Sequence, residues 1–198
     1  MDLWKKSTSR YSHFDERAPA APDPEEKLMR ARFNYAKVAP GIYDAMDSLE
    51  NYLDACGLEK PLRFLVQLRA SQLNGCAYCL DMHWKDLRAV GEGEQRLYSL
   101  DAWRECPYYS ERERAALAWT EAVTQVADGH VEDAVYEEVR AHFSDKELAD
   151  LTFAIATINA WNRLAISSRT VPGGYQSVQT PAQTAAPVET AEPVAVAG

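Results

Sequence analysis

The sequence predicts an all-α protein, a helical bundle with a flexible extension at each end. Three observations carry that expectation. Apolar residues recur at three- and four-residue spacing through the middle of the chain, and the periodic stretches stop at Gly or at Asn-Gly and Asp-Gly pairs. The apolar–polar alternation of strands is missing.

Residues 1–27 are polar, contain Pro19, Pro22 and Pro24, and read as a flexible extension with one short docked piece around Trp4 and Tyr11. The periodic part begins at 42–56, where Ile42, Met46, Leu49 and Leu53 share a face and Gly57 is the stop. A helix over 62–73 opens just after Pro61, a favoured first-turn residue, and ends at Asn74-Gly75. The next, 76–90, starts directly at Cys76 and stops at Gly91, followed by a shorter helix over 94–103. Ser110 with Glu113, and Ser144 with Glu147, form two Ser-x-x-Glu capping boxes that open helices over 111–127 and 145–168. Between those two lies a helix over 132–142. From 174 to 198 the chain is rich in Pro, Thr, Ala and Val. It offers little large apolar surface against ordering entropy and reads as a disordered tail. The expected domain therefore spans 28–173, without an internal repeat.

The 198 residues are 46% hydrophobic and 26% charged, the balance of a globular domain. A formal net charge of −9 with no Lys/Arg cluster argues against nucleic acid as a partner. No apolar run reaches about 18 residues, so no membrane helix is expected. The charged N-terminal segment lacks the apolar stretch of an export signal, which points to a cytoplasmic protein whose thiols are kept reduced. A close cysteine pair in that setting suggests redox chemistry or metal binding.

That pair is Cys76 and Cys79, followed by His83. At about 100° per residue, Cys79, Leu80, His83, Leu87 and Val90 all fall within about 60° of Cys76 on a helix. Both thiols and the imidazole therefore share one otherwise apolar stripe. The helix start favours a thiolate, and more so for Cys76, while His83 lies four residues after Cys79 and can take its proton. A specific charge partner outweighs a diffuse dipole of about 0.5–1 kcal/mol, which favours Cys79 as nucleophile and Cys76 as resolving thiol. Two plainer readings compete. One is a pair of buried structural cysteines with a core histidine. The other is a zinc site with three ligands, closed only if Cys106 or His142 happened to fold nearby. Cys56 and Cys106 read as buried fillers, and His13, His130 and His142 as surface or helix-end residues. Tyr98 and Trp103 read as core or interface residues. In Trp161-Asn162-Arg163, packing by Trp161 and pairing of Arg163 with an acid are favoured over an anion site.

The segment Ala70-Ser71-Gln72-Leu73-Asn74-Gly75-Cys76-Ala77-Tyr78-Cys79-Leu80-Asp81-Met82-His83 resembles the core motif of the carboxymuconolactone decarboxylase superfamily, and most of all its alkylhydroperoxidase D-like branch. The likeness continues through residues 91–98, 113–121 and 158–164. The resemblance implies an all-α fold, a homotrimer or homohexamer, and reduction of hydroperoxides in antioxidant defence. Carried onto this sequence, it makes Cys79 the peroxidatic thiol, Cys76 the resolving thiol and His83 a base in a proton relay. A dithiol reductant protein would be the partner, and no cofactor or metal is expected. One departure stands out. The branch's relay glutamate, twelve residues before the first motif cysteine, is Phe64 here, and its histidine between the cysteines is Tyr78. A phenyl ring carries no proton, and a phenol with a pKa near about 10 is a poor relay at neutral pH. Phe64 and Tyr78 are thus expected to shape the substrate pocket, with Phe64 weakening the peroxidase, and Glu50 and Asp54 are candidate replacement carboxylates. A decarboxylase-like non-redox enzyme and a non-catalytic scaffold are the alternatives.

Overall fold

A computed structural model describes residues 30–177, so the N-terminal extension, including Trp4 and Tyr11, and the chain beyond 177 lie outside the described residues. The elements are α1 (Tyr35–Val38), α2 (Pro40–Ala55), α3 (Lys60–Asn74), α4 (Ala77–Ala89), α5 (Glu94–Ser99), a 3-10 helix (Leu100–Glu105), α6 (Glu111–Thr124), α7 (Asp133–Arg140) and α8 (Asp145–Ser168). No strand occurs among the described residues, which makes the fold the all-α bundle that the periodicity predicts.

The bundle is organised around α3, which packs against α4, α6 and α8. Leu62, Arg63 and then Leu65 through Ser71 are buried, with only Phe64 between them partly exposed, because neighbours cover this helix on nearly every side. On one side Leu62 and Val66 join Ala116, Trp119, Leu151 and Ile155 in an apolar cluster. On another, Leu65 and Leu68 meet Leu87, Leu100, Trp103 and Leu117. A smaller third cluster holds Ala70, Cys76, Cys79, Ile158 and Ala165, with Tyr78 and Trp161 at its edge. Buried Arg69 is satisfied in this setting. It donates to Glu121 at 2.9 Å, Asp101 at 2.7 Å and Gln72 at 3.0 Å.

Both capping boxes form, and α8 runs over the expected residues. Elsewhere packing redraws the ends. The helix expected over 94–103 is an α-helix only to Ser99. The chain then tightens to three residues per turn, which puts Leu100 and Trp103 on one buried face. Tyr98 is 67% exposed, so of the two aromatics only Trp103 enters the core. The four-residue α1, capped by the Asn34 side chain on the Lys37 N–H, is too short to show a period. Cys56 and Cys106 are only partly buried. Among the described residues, no helix is long and apolar enough to cross a membrane.

Gly75 ends α3 in the left-handed region, at φ 66° and ψ 34°, and its N–H closes back on Gln72 and Ser71. Nothing lies within 4 Å of a Cβ built there, so Gly75→Ala meets backbone strain alone. The expected cost is about 1–2 kcal/mol in urea unfolding.

Candidate active site

The turn at Gly75 delivers Cys76 to the N-cap of α4, with φ −84° and ψ 95°, so α4 begins one residue later than the sequence predicts. A cap residue is extended so that its side chain can accept from the first turn, and Cys76 Sγ accepts from the Cys79 N–H at 3.4 Å. The two sulfurs are joined as a disulfide, with Cα atoms 5.4 Å apart, inside the usual span for such bridges. Both cysteines are buried, at 1% and 2% exposure. They do not face the same surroundings. Cys79 is part of the wall of a cavity of about 510 Å³, whereas Cys76 is not among its lining residues.

His83, Phe64 and Tyr78 line the same cavity. The Phe64 ring lies 6.3 Å from the His83 ring, centroid to centroid, so the position where the branch carries a glutamate does sit beside the imidazole. Tyr78 is half-buried, and burial and then the neighbouring Tyr43 push its hydroxyl above the ordinary phenol value. His83 is buried, and neither ring nitrogen has a hydrogen-bond partner. The nearest carboxylate is Asp86, whose Oδ2 stands 3.6 Å from His83 Nδ1, close enough to feel its charge but longer than a hydrogen bond.

Asp86 is not a residue that the sequence reading singles out, although a spacing of three on a helix puts it beside His83. It is held from outside the helix. Tyr175 Oη donates to Asp86 Oδ1 at 2.7 Å and Ser177 Oγ to the same oxygen at 2.8 Å. Burial pushes the Asp86 carboxyl up, but His83, Tyr175 and Ser177 together hold it below the usual carboxylate range. The segment carrying these hydroxyls is fixed to α4 at two more points. The Gly173 N–H donates to Asp81 at 3.0 Å, and Lys85 Nζ donates to the Tyr175 carbonyl, also at 3.0 Å. Residues just past the expected domain edge at 173 thus form part of the cavity wall.

The two carboxylates expected as replacements have other partners. Asp54 is bound to Arg63 Nη2 at 2.5 Å. Glu50 lines the cavity and accepts from Trp161 Nε1 at 2.9 Å. Burial is the main reason its carboxyl is pushed above the ordinary value of 4.5, against the Trp161 bond and the charges of Arg63 and His83. A carboxyl whose folded pKa is raised favours its protonated form in the fold, so ionising it as pH rises past 4.5 costs stability. Glu50→Gln is therefore expected to raise urea-unfolding stability at pH 7 and to leave it unchanged well below pH 4.5.

Arg163 is exposed and, instead of an acid, bonds the Asn159 carbonyl and amide oxygens on its own helix at 2.8 and 2.9 Å. Cys106 packs in the Leu65 cluster, away from the cysteine pair. No group of three or more His, Cys, Asp or Glu side chains converges as a metal site among the described residues.

A helical bundle that buries a Cys-x-x-Cys disulfide beside a histidine-lined cavity is the class of protein that fold and site define. Residues 40–122 match the model of the carboxymuconolactone decarboxylase family. The uncharacterized protein YdfG of Bacillus subtilis is 41% identical over 139 residues, covering 70% of this chain and 95% of that one. A crystal structure of the Agrobacterium tumefaciens protein ATU0492, a protein of unknown function offered as an antioxidant defence protein AhpD, aligns at TM-score 0.72 and 45% identity. That alignment covers 74% of this chain and all of the other. An uncharacterized peroxidase-related protein from Silicibacter sp. TM1040 aligns at TM-score 0.60 and 26% identity, over 66% of this chain and 70% of that one. The chain belongs to the carboxymuconolactone decarboxylase family and to its alkylhydroperoxidase D-like branch.

Proposed function

We propose that this protein is a thiol-dependent peroxidase that reduces organic hydroperoxides through a Cys76–Cys79 disulfide cycle. The observation that carries the reading is the asymmetry of the pair. Cys79 faces a cavity that it shares with His83, and its disulfide partner sits behind it at the helix cap. The family and the names of the similar proteins support a peroxide-related activity. Decarboxylation by itself needs no thiol–disulfide cycle.

In the reduced protein, His83 takes the Cys79 proton, and the thiolate attacks the distal oxygen of the hydroperoxide. The O–O bond breaks, an S–O bond forms, and the alkoxide leaves as an alcohol with the proton returned by His83. Cys79 is now a sulfenic acid. The Cys76 thiolate attacks its sulfur, hydroxide leaves and is protonated to water, and the disulfide forms. A dithiol reductant protein then reduces the disulfide and is itself oxidised to a disulfide. In this scheme Asp86 orients and charges His83, which the glutamate absent at Phe64 would otherwise do.

The test is steady-state consumption of cumene hydroperoxide with dithiothreitol as reductant. Turnover that exceeds the protein concentration supports the reading, and consumption no faster than dithiothreitol alone overturns it. Two variants refine it. Phe64→Glu places a second carboxylate by the imidazole and is expected to speed turnover. Tyr175→Phe removes one hydrogen bond to Asp86 and is expected to slow turnover by about tenfold or less, because only part of the about 1.5–3 kcal/mol of a hydrogen bond to a charged group is passed on through Asp86 to His83. The Tyr175→Phe effect should appear mainly in kcat, since Tyr175 would act through Asp86.

A further inference from the structure

Buried polar atoms are almost always hydrogen-bonded, so a cluster of exceptions asks for an explanation. Six buried side-chain atoms among the described residues lack a partner, and five belong to residues lining the one cavity. They are Nε and Nη1 of Arg63, Oε1 of Gln67, and the two ring nitrogens of His83. His83 belongs to the chemistry above. Arg63 and Gln67 do not, and they stand one helical turn apart on α3, so they present neighbouring polar groups to the same space.

Arg63 is 4% exposed, and a guanidinium stays charged at any physiological pH. Its ion pair with Asp54 uses only Nη2. The other carboxylates near it do not complete it: Glu50 is bound to Trp161 and pushed toward its protonated form, and Asp86 is held by Tyr175 and Ser177. Around these groups one part of the wall is aromatic, from Tyr35, Tyr43, Phe64, Tyr78 and Trp161, and Asp47 and Lys60 add one charge of each sign. A space of about 510 Å³ with an aromatic side and several fixed charged and polar groups suits a molecule far larger than hydrogen peroxide.

We propose that the cavity takes an organic acid: a hydroperoxide whose carboxylate sits on the free N–H groups of Arg63, whose aromatic or other apolar body lies on the tyrosines and Trp161, and whose peroxide group meets Cys79 and His83. Gln67 Oε1 accepts from an O–H group of the same molecule. Arg63 and Gln67 are then specificity residues. The hydroperoxide half of the proposal rests on the peroxidase reading; the carboxylate half rests on Arg63 alone.

The probes are cumene hydroperoxide, its para-carboxylate derivative and the methyl ester of that derivative, which share one body and differ only in the group offered to Arg63. With dithiothreitol recycling, the carboxylate is expected to show a KM at least tenfold below that of the ester and of the parent compound. Arg63→Gln should erase the preference for the acid over the ester. Equal KM values for acid and ester in the unaltered protein overturn the proposal, and this comparison needs no variant, should Arg63→Gln fail to fold. A second measurement separates this proposal from the peroxidase reading. The alcohol products of the acid and of its ester are titrated calorimetrically into the oxidised protein, where no turnover occurs. Binding of the acid at least tenfold tighter than the ester, in a protein that consumes no hydroperoxide, keeps the carboxylate site and discards the peroxidase. Equal binding of the two in a working peroxidase does the reverse.

Discussion

Cys79→Ser is expected to reduce hydroperoxide consumption by about 10³-fold or more, because it removes the atom that attacks. Cys76→Ser is expected to behave differently. Its Cys79 still reacts, so the protein consumes one equivalent of peroxide and then stops, with a sulfenic acid that dimedone traps at residue 79. The geometry sets this order. Both sulfurs lie within the first turn of α4, Cys76 at the cap and Cys79 three residues on, so the field of the helix start acts on both and discriminates little. Access decides instead. A single equivalent consumed by Cys79→Ser, with nothing consumed by Cys76→Ser, would mean that the buried cap sulfur is the nucleophile and that the cavity plays no part in catalysis.

His83→Ala is expected to slow the first step by about 10² to 10⁴, the usual contribution of a positioned base. Asp86→Asn should lose a smaller part of that, since an amide keeps the shape but not the charge that favours an imidazolium. The pH dependence carries a sign that separates the two. Asp86 is held below its ordinary value of 3.8, so it is a carboxylate at every pH above that. Its charge should be constant from there upward and disappear only as pH falls through its lowered value. If stopped-flow thiol oxidation in Asp86→Asn matches the unaltered protein at pH 7, the Asp86–His83 pairing has no catalytic weight.

The fold was legible because its signals are local. Ser110 with Glu113 and Ser144 with Glu147 announce two helix starts, Gly75 and Gly91 two ends, and the Cys76–Cys79–His83 stripe follows from helical spacing alone. What escaped depends on distant residues. Tyr175 and Ser177 stand in a stretch whose composition suggests a tail, yet α4 offers Lys85, Asp81 and Asp86 to hold it. The split of the 94–103 helix depends on Leu100 and Trp103 meeting a core built by α3 and α6. Asp86 was within reach of spacing arguments. The glutamate missing at Phe64 points instead to carboxylates on α2, where Asp54 is paired with Arg63. The unpartnered atoms of Arg63 and Gln67 show only once the cavity exists, since any Arg or Gln in a sequence reads as a solvated residue.

The central claim is that peroxide drives Cys76 and Cys79 into one disulfide. It is tested most directly by intact-mass and peptide analysis of the reduced protein after one equivalent of cumene hydroperoxide, with free thiols blocked afterwards. The account predicts a loss of about 2 Da before blocking, a Cys76–Cys79 crosslinked peptide, Cys56 and Cys106 both blocked as free thiols, and full reversal by a dithiol. Four thiols still free under excess peroxide, or oxygen added to Cys79 with no crosslink to Cys76, would contradict it.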